Sequence, residues 1–379
     1  MSTCVSVPAT SESADDLPFS LPRWTQEKAN AWYATLPWLV GCNFIPATAS
    51  NQLEMWQAET FDPQRIDLEL GWAEAMGLNV MRVFLHDLLW ESDAAGFCDR
   101  IDHYLRIADS HRIKTLFVLF DSCWHPCPQL GAQAAPAAGV HNPCWLQSPG
   151  RDALLNCNEY PRLQRYVTEL LSRFGDDPRI LGWDLWNEPD NENTGSYPKL
   201  ESADKLAQVD ALLPQVFDWA RRANPSQPLT SGVWVGDWST LSSLTSIQRT
   251  QIQQSDIISF HNYEGTAQFE KRIAWLKDYG RPMLCTEYMA RSCGSTFEEI
   301  LPLARAHNVA AINWGFVAGK TQTYLPWDSW QKPYVDHEPK LWFHEILRND
   351  GSAYDTKDVE AIRKATQADV QTKTAAAGH

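Results

Sequence analysis

Several things are missing from this 379-residue chain, and each absence narrows what it can do. No run approaches the ~18 apolar residues of a membrane-spanning helix. Residues 1 to 20 have neither a basic start nor the ~7 to 15 apolar residues of a secretory leader. A cytoplasmic location is expected, and a secreted one only if a leader precedes this sequence. Basic charge is scarce: 32 Lys and Arg face 47 Asp and Glu, a net charge of -15 that repels phosphate backbones and anionic lipid. Neither nucleic acid nor membrane is expected as a partner. There is no Gly-x-x-x-x-Gly-Lys-Ser/Thr loop, no nucleotide-binding glycine fingerprint and no His-Glu-x-x-His, so phosphoryl transfer, hydride transfer and zinc proteolysis have no anchor. No cofactor and no metal are expected. Internal repeats and Pro-, Gly- or Ser-rich linkers are also missing, which favours a single domain.

What is present is a globular composition, 44% hydrophobic and 21% charged, with 18 Trp against 11 Tyr and 14 Phe. So many indoles, each with an N–H that wants a partner, suit an aromatic-lined cleft. Nine Cys are an odd number in a chain too large to need stapling, which argues for a reducing compartment over a disulfide framework. Between residues 36 and 316, short β-rich runs alternate with stretches of helical period. Eight strand candidates emerge: 38 to 45, 79 to 86, 114 to 120, 180 to 187, 229 to 234, 256 to 263, 282 to 287 and 310 to 316. Each is mostly apolar on both parities, as expected of strands covered on both faces. Helices are predicted from Asp62-Pro63 to Gly77, over 99 to 111, and from Pro161 onward. Eight alternations predict an α/β fold of the (β/α)8 TIM barrel type, with a doubly wound open sheet as competitor. The longest irregular stretches, 121 to 158, 188 to 200 and 317 to 337, all follow carboxyl ends of strands, the face on which barrel enzymes build their sites.

Two glutamates stand at matched places, Glu188 after Trp186-Asn187 and Glu287 after Cys285-Thr286. In a barrel both project into one mouth. A carboxyl pair is what cleavage of a glycosidic bond needs, one group protonating the leaving oxygen while the other attacks the anomeric carbon or activates water. Other polar or aromatic residues recur at strand ends: Arg82, His86, His125, Asn187, His261, Tyr263 and Trp314. Trp90, Trp124, Trp145, Trp234, Trp238, Trp327 and Trp330 are further aromatic candidates for the mouth, each equally able to fill core.

In these residues the chain resembles glycoside hydrolase family 5, the cellulase-like family of the clan A retaining glycosidases. The resemblance covers roughly residues 36 to 316: Arg82 in Met-Arg-Val-Phe, Asn187 and Glu188 in Trp-Asn-Glu-Pro, His261 and Tyr263 in Phe-His-Asn-Tyr, Glu287 in Cys-Thr-Glu-Tyr and Trp314 in Ile-Asn-Trp-Gly. The family also carries a histidine after its third strand. His125 is the candidate, although Asp121-Ser-Cys-Trp-His125 departs from the usual spacing, and His86 is its rival. The resemblance implies that Glu188 is the acid/base and Glu287 the nucleophile of a double displacement, with the carboxyls ~5 to 5.5 Å apart. It also implies that Glu188 has a raised pKa while Glu287 stays charged beside Arg82 and Tyr263, that Asn187 binds the sugar 2-hydroxyl, and that Trp314 stacks under the sugar. The organisation expected along the chain is an N-terminal extension (1 to 35), a catalytic barrel (36 to 350) and a C-terminal helix with a disordered tail (351 to 379).

Carbohydrate is thus the expected partner. Exo action on oligosaccharides or small glycosides is expected from the long loops, with an endo-acting β-1,4-glycanase (a cellulase or mannanase) and a non-catalytic carbohydrate-binding barrel as alternatives. Two metal readings also arise. Cys123, His125, Cys127, His141, Cys144 and Cys157 share one loop, without the spacing of a standard zinc module. His86, Asp87, His125, His261 and Glu287 would form the cage of a metal-dependent barrel hydrolase.

Overall fold

The computed structural model describes residues 22 to 376; the stretch read above for a leader lies outside them, as do residues 377 to 379. Eight parallel strands are present: β1 (Val40–Asn43), β2 (Val80–Phe84), β3 (Lys114–Asp121), β4 (Ile180–Asn187), β5 (Leu229–Thr230), β6 (Ile258–Asn262), β7 (Met283–Tyr288) and β8 (Ala310–Asn313). Hydrogen bonding runs in the order β5-β4-β3-β2-β1-β8-β7-β6. A single bridge between Val233 and Phe260 joins the two ends, so the sheet is a nearly closed (β/α)8 barrel.

Five strands, β1, β2, β5, β6 and β8, are shorter than the apolar runs predict, and at β5 and β8 side chains show the cause. The fifth covers two residues because hydroxyls take over from the ladder: Ser231 Oγ donates to Trp186 O (2.8 Å), the Ser231 N–H goes to Ser255 Oγ (3.0 Å), and Thr230 Oγ1 pairs with Ser259 Oγ (2.7 Å). The eighth ends at Asn313, whose side-chain amide donates to the carbonyls of Trp314 and Gly315 (3.2 and 2.6 Å). Trp314 therefore leads out of the strand instead of lying within it. Gly315 follows at φ +82°, and a Cβ there would sit 2.8 Å from that of His344, so only glycine lets the later chain pass so close.

Helices cover the outside. The helix Pro63–Met76 follows its sequence signals closely: Asp62 accepts from the Arg65 N–H (3.0 Å), proline occupies the first turn, and Gly77 closes it in the left-handed region. The stretch predicted at 99 to 111 is only the second half of Asp87–Ser110, which is kinked at Asp93 and begins against the side chain of His86.

Strand pleating sorts the barrel interior into layers. On β2, Met81 and Val83 face the helices, while Val80, Arg82 and Phe84 belong to successive inner levels. The bottom level is apolar (Leu39, Val80, Leu116, Leu181, Ile257, Leu284, Ile312) and is sealed by Trp24 and Tyr33 around the helix Gln26–Ala34. The top level is aromatic, with Phe84 and Trp145 beside Trp314. Between them lies a polar layer centred on Arg82.

Candidate active site

A guanidinium at the middle of a barrel needs acceptors on neighbouring strands, and Arg82, 0% exposed, finds one for each of its five N–H bonds. Nε and Nη2 reach Asp184 Oδ2 (3.0 and 2.8 Å), Nη2 also reaches Asn187 Oδ1 (2.7 Å), and Nη1 reaches Asn43 Oδ1 and Glu287 Oε1 (both 2.8 Å). The amide of Asn187 is thereby oriented, its Nδ2 donating to Asp121 Oδ1 (2.9 Å). Asp121 is held in turn by the indole of Trp145 (2.6 Å), and burial pushes its carboxyl up to about 6.

Glu188 and Glu287 meet above this layer, 7% and 4% exposed. Glu188 is the first residue past β4 and stands at φ +42°, a left-handed conformation that costs a glutamate on the order of 1–3 kcal/mol and turns its carboxyl over the mouth. Its Oε1 lies 2.8 Å from His261 Nδ1, and its Oε2 accepts from Asn191 Nδ2 (2.7 Å) and the Cys123 thiol (3.3 Å). Glu287 accepts from Arg82 at one oxygen and from the Tyr263 hydroxyl (2.7 Å) at the other, with His261 Nδ1 3.4 Å away. One oxygen of each carboxyl and a nitrogen of His261 fall within 4.8 Å of one another.

Burial pushes both carboxyls above the ordinary range. At Glu287 the repulsion of Glu188 adds to this, while His261, Arg82 and the Tyr263 hydroxyl oppose it. Glu188 has no cation in contact, so Glu287 is the group equipped to hold negative charge and Glu188 the one equipped to hold a proton. Burial lowers His261 to about 4, so its ring is neutral near pH 7. Its Nε2 has no partner, which assigns the proton to Nδ1, between the carboxyls.

Three loops build a wall on this floor. The loop after β3 is tied to the loop after β8 through His141 N–H to Ser329 Oγ (2.9 Å), Asn142 N–H to Thr321 O (2.8 Å) and Tyr334 N–H to Gly139 O (2.8 Å). The loop after β4 joins through Tyr197, whose hydroxyl donates to Pro143 O (2.6 Å). Trp330 completes the wall, stacked on Trp124 at 5.6 Å and 7°, with Tyr197 edge-on at 5.0 Å. Trp327 packs edge-on against Tyr263 (5.2 Å) and Phe343 (4.8 Å).

Of the residues singled out from sequence, Arg82, Asn187, Glu188, His261, Tyr263 and Glu287 come together in one network. Trp314 stands at the rim, half-buried, its ring edge-on to Phe84 (5.7 Å) and Trp145 (5.4 Å). Two histidines lie outside the network. His86 is sealed under the helix it begins, accepting from the Leu88 N–H (3.2 Å) and lying 3.2 Å from Asp87. His125 stacks edge-on against Tyr197 (4.7 Å) and accepts from the Cys127 N–H (3.2 Å). The contact from the end of β3 to Asn187 is made by Asp121. Trp90 and Trp238 are packing residues, against Tyr166 and against Phe260 and Trp275. Asn43, Asp121, Asp184 and Asn191 belong to the network without having been anticipated.

The loop cysteines and histidines form no cluster of three ligands among the described residues; the group with ligand spacing is Glu188, His261 and Glu287. Arg82, 2.8 Å from Glu287, already neutralises that carboxylate and makes a poor neighbour for a metal cation. Eight of the cysteines are free thiols, and Cys4 lies outside the described residues. No helix among the described residues is long and apolar enough to cross a membrane.

The barrel agrees with the comparisons to known proteins. No curated protein sequence matches the chain. Similar solved structures include an endo-β-1,4-mannanase from Thermotoga petrophila, at TM-score 0.54 and 15% identity over 87% of this chain and 76% of that one. An exo-β-1,4-mannosidase from Opitutaceae bacterium strain TAV5 gives 0.56 and 17% over 88% of this chain, which spans 60% of that longer protein. A family 5 subfamily 18 protein from Streptomyces cattleya in complex with GlcNAc gives 0.56 and 13%, over 87% and 79%. At these identities the likeness is one of fold. The sequence evidence is a match to the cellulase model, glycosyl hydrolase family 5, across residues 139–332, and with the fold it establishes that the chain belongs to this family of glycoside hydrolases.

Proposed function

We propose that this glycoside hydrolase works with retention of configuration, with Glu188 as acid/base and Glu287 as nucleophile, and that it is exo-acting on oligosaccharides or small glycosides. The observation that carries the reading is the close approach of the two carboxyls, oxygens of both falling within 4.8 Å of each other and of His261. Retaining pairs lie ~5 to 5.5 Å apart, whereas inverting pairs leave ~6.5 to 9.5 Å for a water. In the first step Glu188 protonates the leaving oxygen as Glu287 attacks the anomeric carbon, giving a glycosyl ester. Esterification removes the charge that helped keep Glu188 protonated, so Glu188 then takes a proton from water, which attacks the same carbon. Arg82 and Tyr263 orient Glu287, and Asn187, locked by Arg82 and Asp121, meets the 2-hydroxyl. Trp314 offers the sugar an apolar face. His261 tethers both carboxyls, and His125 in the wall remains a candidate for contact with substrate.

Exo action is supported by the wall of Trp124, Trp330 and Tyr197, which binds the loops after β3, β4 and β8 to one another. An aryl glycoside panel tests the reading, with β-mannosides first because two of the similar structures are a mannanase and a mannosidase. Glu188→Gln and Glu287→Ala should each lose on the order of 10³-fold or more in kcat. With azide, Glu287→Ala should yield the inverted glycosyl azide, while Glu188→Ala should yield the retained one. Swapped products would reverse the assignment, and cleavage confined to the interior of a β-glucan or mannan would replace exo by endo action.

A further inference from the structure

Two histidines outside the carboxyl network face each other at the foot of the wall. His141 comes from the loop after β3 and His344 from the segment that passes under Gly315. They are 2% and 1% exposed, and their rings are 5.4 Å apart. In each, Nδ1 meets a main-chain carbonyl, Leu325 O at 2.7 Å for His141 and Met289 O at 2.5 Å for His344. A carbonyl only accepts, so both protons sit on Nδ1 and each Nε2 is a bare lone pair. Neither Nε2 has a partner among the described residues, and neither is sealed away as those of His86 and His261 are. Burial holds both rings neutral, His141 lowered to about 4 and His344 lowered well below the ordinary value.

The surroundings narrow what these nitrogens can meet. Trp124 lies 5.7 Å from His141, and Trp327 lies 6.5 and 5.9 Å from the two rings. Tyr263, which donates to Glu287, is 5.3 Å from His344. The pair is thus one aromatic ring removed from the carboxyls.

We propose that His141 and His344 form a hydroxyl-accepting subsite for a neutral sugar ring of a substrate held at Glu188 and Glu287, with Trp124 and Trp327 supplying apolar faces. The proposal rests on the exo-glycosidase reading and adds a substrate class to it. Two acceptors with no donor between them require a ligand that brings O–H groups. A uronate or phosphorylated sugar would set its own acceptors against them and be rejected.

The test uses His141→Phe and His344→Phe, with Gln variants that restore an acceptor near the Nε2 position. Two readouts apply: kcat/KM on aryl glycosides and their monodeoxy analogues, and monosaccharide titration followed by tryptophan fluorescence. Each Phe variant, with wild-type melting, should lose about 10 to 100-fold in kcat/KM and a similar factor in monosaccharide affinity. The Gln variants should recover much of it. The loss should also vanish on one particular deoxy substrate, because the hydroxyl and its acceptor are removed together. Folded Phe variants that keep wild-type values, or losses additive with every deoxy substitution, would overturn the proposal. If the wild type cleaves only inside polymers, the exo reading fails, and the monosaccharide titration alone decides whether the subsite exists.

Discussion

Cys123 presses a thiol against the carboxyl of Glu188, 3.3 Å from the oxygen that Asn191 also serves. Burial and the neighbouring carboxylates hold the thiol protonated, so it donates, and a donor to a carboxylate favours the charged form. Removing it in Cys123→Ala should raise the pKa of Glu188 and move the basic limb of kcat/KM to higher pH. Cys123→Ser should bring the limb back. A pH profile checks both, and an unmoved limb in a folded Ala variant would mean that the thiol only fills space. Much of this network was legible in the sequence: Asn187, Glu188, His261, Tyr263 and Glu287 stand where apolar runs close, and Arg82 is the one charge inside its run. Asn43 and Asp184 stayed hidden within such runs. The buried Arg82 was the clue to both, since a buried guanidinium demands acceptors and Asn43 pairs with it in register on β1. His125 shows the opposite limit. Its position depends on the path of an irregular loop, which no spacing rule converts into a place.

Elements set what reaches that network. The three long loops were recognisable by length and by their place after β3, β4 and β8, but not the way they tie to one another, because each of their hydrogen bonds uses on at least one side a main-chain group that any residue offers. Trp330 is the point where they meet. Trp330→Ala should open the wall and give internal cleavage of oligosaccharides, read as a wider spread of product lengths. Activity on a small glycoside should fall only roughly threefold to tenfold, the equivalent of about 0.5–1.5 kcal/mol for one aromatic pair. Products released only from chain ends by a folded variant would show that the wall does not set the cutting mode. The fifth strand was anticipated but its shortness was not, for a related reason: Ser231 and Gly232 read as strand residues until the hydrogen bonds of Ser231 and the close approach of Ser259 to Gly232 are seen.

At the scale of the whole molecule, two buried carboxyls outside the site link stability to pH. Burial pushes Glu69 up to about 7 and Glu345 up to about 8, and each leaves one oxygen without a partner. Glu345 receives the Thr323 hydroxyl at its other oxygen, and Glu69 receives the Ala47 N–H. The folded state therefore binds these protons more tightly than the unfolded chain, in which the groups titrate near 4.5. Their stabilisation is complete below that value and is lost as pH rises through 7 and 8. Glu345→Gln should melt higher than the wild type at pH 9, by about 2–4 °C for each kcal/mol relieved, with the gap closing toward pH 5. A gap independent of pH would contradict this origin. The plug at the bottom of the barrel carries a different consequence. Arg23 and Trp24 are fastened to Ser255 and Asp256, at the edge opposite the mouth. A support, label or fused protein attached ahead of them would hang from the far pole, leaving the catalytic opening turned outward and unobstructed.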